Sequence, residues 1–382
     1  MKQRAMLRVK DLLTAPKPPM LVDGLVTRGG VTGLSADPGI GKTFFALELI
    51  RCIMLREPFL GLFETRRGSV LFIGQDCSLL QYAEQVRKVF GKDVNAEISI
   101  DSGERYEDGA PIIDRVRPFD FIRFLIHEGL DLAKPSDIAY IANAARNIPN
   151  VAFEPGVPIS YERAEWSGRE VSDLDASWLP VYDDPNGVAL IVIDTLSTLH
   201  SINENANDDM TRVFASLRIL AEQTQAAILV LHHHSHTSES NPGNRWRGAS
   251  SQIAMLDGWF EIKGNNRSPE KSVKVRKFRG IPPKDFKFRM ETTEKECWFE
   301  FNSYLEPGQS EPSLLDNLKT FLMTLPQQEC FETKQIVEFL TKKKGYSESS
   351  ASAKATYLLR KLEDQQWVTR SAHGSWTLTA GH

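Results

Sequence analysis

The clearest pattern along the chain is a series of short, continuously apolar runs separated by stretches in which apolar residues recur every three or four positions. The runs are residues 31–35 (VTGLS), 69–74 (SVLFIG), 188–193 (VALIVI) and 226–231 (AAILVL). The helical period marks residues 44–55, 79–90 and 210–224. A strand that is apolar at every position is buried on both faces. Such strands alternating with helices predict an α/β fold with a mainly parallel sheet covered on both sides.

Elsewhere the pattern changes. From about residue 92 to 185 it weakens, and this stretch reads as an insertion in the core, with helices predicted over 119–132 and 136–146. After Gly258 it turns to strands, at 259–263, 271–279, 286–291 and 297–302. Residues 306–312 (EPGQSEP) have the composition of a linker. Residues 313–382 then read as a separate small domain. Its helices at 313–325, 333–343 and 349–364, followed by a hairpin around 372–374, follow a winged-helix order. Residues 1–28 form an N-terminal segment stiffened by Ala15-Pro16-Lys17-Pro18-Pro19, which leaves 29–305 as the core.

Composition narrows the class. The chain has 382 residues, 41% hydrophobic and 25% charged, which suits an ordinary globular protein with a sizeable core. A net charge of −4 excludes a globally basic nucleic-acid coat, so nucleic-acid binding has to come from local patches or an assembled groove. Cys52, Cys77, Cys297 and Cys330 lack metal-ligand or CxxC spacing and read as thiols in a reducing cytoplasm. No run reaches about 18 apolar residues, so no membrane span is expected. Residues 1–17 lack the apolar core of a secretory signal.

The strongest chemical motif is Ala36-Asp37-Pro38-Gly39-Ile40-Gly41-Lys42-Thr43, placed after one predicted strand and before one predicted helix. Gly39 and Gly41 let the backbone curl so that its N–H groups point at phosphates. The following helix adds its positive N-terminal end. Lys42 is expected to reach the β- and γ-phosphates of ATP, and the Thr43 hydroxyl to bind Mg²⁺. Asp194, at the end of the third run, is placed to hold that Mg²⁺ through water; the plainer alternative is a capping role at a strand-to-helix turn.

Several segments together resemble a known family. Residues 21–50, Phe59-Leu60-Gly61, residues 67–72 (RGSVLF), 191–196 (IVIDTL), 229–233 (LVLHH), 247–250 (RGAS) and Asp257 look like the hexameric, plasmid-type replicative DNA helicases called RepA-like, within the RecA-fold ATPases. The likeness spans roughly residues 20–290 apart from the insertion. It implies an ATP-dependent helicase or single-stranded DNA translocase, assembled as a homo-oligomeric, hexameric ring. It also implies a replication setting, with the winged helix available to DNA or to a replication or loader protein.

The resemblance assigns further roles. The family carries a glutamate past the second strand that polarises the attacking water. Here Gln75 stands in its place and Asp76 follows as an alternative base. An amide orients water but cannot accept its proton. His232 corresponds to the γ-phosphate sensor after the fourth strand; alternatively His232–His234 is a polar loop or an adventitious metal site. Arg245 and Arg247 end a polar loop that by resemblance faces DNA, or else is a solvated connection. Lys277 and Arg279 resemble the pair that such helicases insert into the neighbouring subunit's ATP site; a basic edge strand is the alternative. Two other functions stay open: a non-motor ATP switch, and a filament-forming recombinase.

Overall fold

The computed structural model describes residues 9, 19–106, 111–149, 187–202, 207–233, 250–305, 314–324, 330–344, 348–371 and 375–379. Arg245 and Arg247, the linker at 306–312, the hairpin tip at 372–374 and residues 150–186 of the insertion lie outside them. The chain divides into two compact units, residues 1–263 with 272–302, and residues 264–271 with 303–382.

The first unit is built on a nine-stranded sheet. Its strands are β3 (Val31–Ala36), β4 (Val70–Gly74), β7 (Ile122–Ile126), β8 (Leu190–Asp194), β9 (Ala227–His233), β10 (Gly258–Gly264), β11 (Glu270–Phe278), β12 (Phe286–Thr292) and β13 (Cys297–Tyr304), in the order β13-β12-β11-β10-β3-β9-β8-β4-β7. The six strands from β10 to β7 pair parallel. Two small antiparallel pairs lie beside this sheet, β1 (Met20–Val22) with β2 (Val26–Thr27), and β5 (Ile98–Arg105) with β6 (Pro111–Val116).

Side chains of a strand alternate between faces, and each face here has its own core. Val70 and Phe72 of β4 and Leu190 and Val192 of β8 join one cluster, with α1 (Lys42–Leu55) and α2 (Leu79–Phe90). Leu71, Ile73, Ile191 and Ile193 join the other, with α3 (Pro135–Arg146) and α4 (Asn207–Thr224). The helices present matching stripes, Ile138, Ile141, Ala142 and Ala145 on α3, and Met210, Val213, Phe214, Leu217 and Ala221 on α4. Each large side chain so buried contributes about 1.5–3 kcal/mol. This is the doubly covered parallel sheet that the apolar runs predict. A short helix, α5 (Ser250–Met255), leads into β10.

One expected element differs. Residues 119–132 do not form a helix. A 3₁₀ turn at Pro118–Phe121 is followed by β7, paired in register with all of β4. Ile122, Phe124 and Ile126 pack on one cluster and Leu125 on the other, so the two-residue period wins over the three-to-four spacing that the same apolar residues also satisfy. β7 and α3 therefore belong to the core, and the stretch after residue 92 is not wholly an insertion.

The second unit holds α6 (Leu314–Leu322), α7 (Thr333–Lys344), α8 (Glu348–Asp364) and an antiparallel hairpin of β14 (Val368–Arg370) and β15 (Trp376–Leu378). Leu318, Leu322, Ile336, Leu340, Leu359, Leu362 and Trp376 form its own core. Phe331 and Trp376 exchange two backbone hydrogen bonds of 2.8 Å, tying the start of α7 to the hairpin. Among the described residues, no helix is long and apolar enough to cross a membrane.

Candidate nucleotide site

The phosphate loop leaves the C-terminal end of β3 and enters α1 at Lys42. Gly39 and Gly41 have φ of 76° and 103°, a left-handed region that favours glycine. A Cβ at Gly41 would also meet Met290 Cε of β12 at 2.6 Å. The loop thus curls as the motif requires, with Asp37, Pro38 and Gly39 exposed and Ile40 buried as its anchor.

Lys42 folds back into the loop. Its ammonium donates to the Ala36 carbonyl at 3.2 Å, the Asp37 carbonyl at 3.4 Å and His233 Nδ1 at 3.0 Å. Burial pulls its pKa below the ordinary lysine value, opposed by the charges of Asp194, Asp76 and Asp37. These are long, loop-carbonyl contacts that a phosphate oxygen can replace.

Thr43 and Asp194 meet across the sheet edge, Thr43 Oγ1 donating to Asp194 Oδ2 at 2.8 Å. Asp194 is fully buried, and among the described residues no hydrogen-bond donor reaches its Oδ1. Burial pushes its pKa up to about 6, with the Thr43 hydrogen bond acting against it. A hydroxyl and a buried carboxylate with an unused oxygen are hard ligands that suit Mg²⁺ completed by water and phosphate. The Tyr82 hydroxyl donates to the Asp194 carbonyl and accepts from the Asp76 N–H, both at 3.1 Å. Sequence reading missed this buried tyrosine strut, because nothing in its helical period marks it apart from a core residue.

Gln75 is engaged elsewhere. Its Nε2 donates to the carbonyls of Thr198 at 2.8 Å and Leu130 at 3.3 Å, and its Oε1 accepts the Gly129 N–H at 3.0 Å. The side chain expected to face the attacking water instead clamps two backbone segments, at 129–130 and at 198. Asp76 is the exposed acid of the pair, with Oδ1 3.6 Å from His233 Nε2. The neighbouring His233 ring holds its carboxyl below the usual carboxylate range, against partial burial.

The two histidines part onto opposite faces of β9. His232 is fully buried on the strand face whose residues Ile228 and Val230 join the second cluster. His233 follows Leu229 and Leu231 onto the α1 face and reaches Lys42. An ammonium only donates, so Nδ1 of His233 accepts and its ring proton sits on Nε2, toward Asp76. Strand alternation was the signal that separates the two histidines.

Lys277 and Arg279 stand at the other end of the sheet. Gly258 of β10 pairs with Thr32, near the start of β3, and the Arg279 N–H donates to the Asp257 carbonyl at 2.7 Å. A six-residue strand is about 20 Å long, so neither cation reaches the phosphate loop of its own chain. Lys277 Nζ donates to the carbonyls of Ile253 and Ala254 at 2.8 Å, capping α5. Arg279 lies 3.3 Å from Asp257 Oδ1, with half of its side chain exposed.

The chain matches the family model described as "AAA domain" over residues 2–93 and 155–239, which takes in the phosphate loop, Asp76, Asp194 and His233. The matched segments thus resemble a P-loop ATPase core. No curated protein sequence matches this one. A solved structure described as the crystal structure of the RadB recombinase is similar over 71% of this chain and 91% of that chain, with 11% identity and a TM-score of 0.41.

Proposed function

We propose that the chain is a subunit of an ATP-dependent DNA helicase or single-stranded DNA translocase of the RepA-like type, working as a head-to-tail ring. The observation that carries this reading is the separation of its two cationic groups. Lys42 serves the chain's own phosphate loop, while Lys277 and Arg279 stand a strand's length away; this reading assigns them to a neighbour's. Thr43 and Asp194 would hold Mg²⁺, which would neutralise phosphate charge. Lys42 leaves its carbonyl contacts for the phosphates. Asp76 orients the attacking water, and His233 reports the γ-phosphate to β9. Asp76 is a weak base because its pKa is low, so turnover leans on the neighbour's cations.

The DNA part of this reading rests on the motif resemblance. The α8 helix supports it modestly: Lys354, Tyr357 and Lys361 share a face, with the two ammonium groups 5.2 and 5.5 Å from the Tyr357 ring. In a winged-helix reading of the second unit this is the helix that meets DNA or a loader protein.

The Gln75 clamp favours a second reading, an ATP-binding switch with little turnover. Steady-state ATP hydrolysis with and without single-stranded DNA separates the two, with Lys42→Ala as the blank. A motor gives turnover raised strongly by DNA and weakened by salt. Tight ATP binding without turnover establishes the switch and removes the motor.

A further inference from the structure

Three of the four most exposed large apolar side chains described in the first unit stand at two functional places. Ile281 is 91% exposed, Leu80 77% and Leu79 62%. Leu79 and Leu80 open α2, three and four residues beyond Asp76, at the rim of the nucleotide site. They do not serve the helix's own packing, which uses Tyr82, Val86, Val89 and Phe90. Ile281 lies two residues beyond Arg279, at the opposite end of the sheet.

The Ile281 tip is held ready. Gly280 has φ of 137°, a conformation reserved for glycine, and Pro282-Pro283 follow. A residue before proline is restricted to extended backbone, and proline fixes its own φ. The Pro283 ring also packs near Gly24, 3.6 Å from where a Cβ would stand. A rigid apolar tip loses little entropy on docking.

The charges around the two places are opposite. Exposed Arg279 and Lys284 flank Ile281. Exposed Asp37 and Asp76 flank the nucleotide end, and bound nucleotide adds phosphate charge.

We propose that Ile281 of one copy docks on Leu79 and Leu80 of the next, and that this contact steers Arg279 into the neighbour's nucleotide site. The partner is a second copy of this chain, joined head to tail. An apolar anchor within a charged rim is the usual anatomy of an interface centre. The inference rests on the trans-acting role given to Arg279 above, and adds the surface that delivers it.

The test uses the full chain. Ile281→Glu and Leu80→Glu alter exposed side chains, so each chain keeps its fold and its binding of a fluorescent ATP analogue. Both are expected to abolish the assembly seen by sedimentation velocity with a non-hydrolysable ATP analogue, and to lower turnover by the same factor as Arg279→Ala. Direction is read in a background with Cys77→Ser and Cys330→Ser. Chains carrying Ile281→Cys, mixed with chains carrying Leu80→Cys, should form a disulfide between unlike chains and none between like ones. Crosslinks between like chains overturn the proposal, as does assembly that survives both glutamates. If Arg279→Ala still depresses turnover in that case, the trans-acting role stands and this docking surface alone falls. If Arg279→Ala has no effect, the role itself falls.

Discussion

The two ends of the parallel sheet each carry a carboxylate beside cations, and they differ in how far those groups are satisfied. At the end where β3 begins, Asp257 accepts the Val31 N–H at 2.8 Å and lies 3.0 Å from Arg218 and 3.3 Å from Arg279. Arg218 in turn donates to the Met255 carbonyl. At the other end, Asp194 is fully buried with one oxygen unused, and Lys42 rests on carbonyls of its own loop. One carboxylate is bonded for stability. The other is held under-bonded, which costs stability and leaves capacity for a ligand.

Asp194→Asn is the largest test of that contrast. Nucleotide turnover should fall at least about 100-fold, equivalent to about 2.7 kcal/mol, while the metal-free protein melts no lower than wild type, because a buried charge is removed. A variant that loses activity by unfolding would erase the distinction.

Titration gives the next test. The Asp194 pKa is raised to about 6 in the folded chain, above the ordinary 3.8, so the native state holds this proton more tightly than the unfolded one. That contribution to stability is present at low pH and is lost as pH rises from about 4 to about 6. Mg²⁺-dependent nucleotide affinity should move the opposite way, weakening up to about tenfold per pH unit below 6 as the proton competes. Calorimetry from about pH 4 to pH 8, with Asp194→Asn as reference, reads both; an affinity flat across that range refutes the assignment.

At the satisfied end, Asp257→Ala should lower unfolding free energy by about 2–3 kcal/mol, because the buried Val31 N–H and two guanidinium groups lose their acceptor. A neutral result in denaturant titration would mean that Asp257 is not structural. The smallest expected effect is Gln75→Glu. A carboxylate cannot donate to Leu130 and Thr198, so it should cost about 1–2 kcal/mol and leave turnover without a gain. Faster hydrolysis would restore the glutamate-like role.

The contrast also explains what could be read from the sequence. The apolar runs at β4, β8 and β9 announce strands because both faces are buried, and glycine spacing announces the phosphate loop because backbone geometry demands it. β7 was hidden because its apolar residues satisfy two periods, and only pairing with β4 decides between them. His233 was hidden behind His232 because the choice depends on which face of β9 looks toward α1. The Gln75 clamp joins residues more than 50 positions apart, a closure that no local pattern encodes.

Trp259 of β10 donates its indole N–H to Ser35 Oγ at 2.8 Å, one residue before the phosphate loop begins, and is almost wholly shielded from water. The chain therefore carries its own optical reporter. A shielded indole emits in the blue, and any shift of Ser35 as phosphates settle into the loop alters its hydrogen bond, so nucleotide arrival is expected to show in the Trp259 emission of a chain whose six other tryptophans are replaced by phenylalanine.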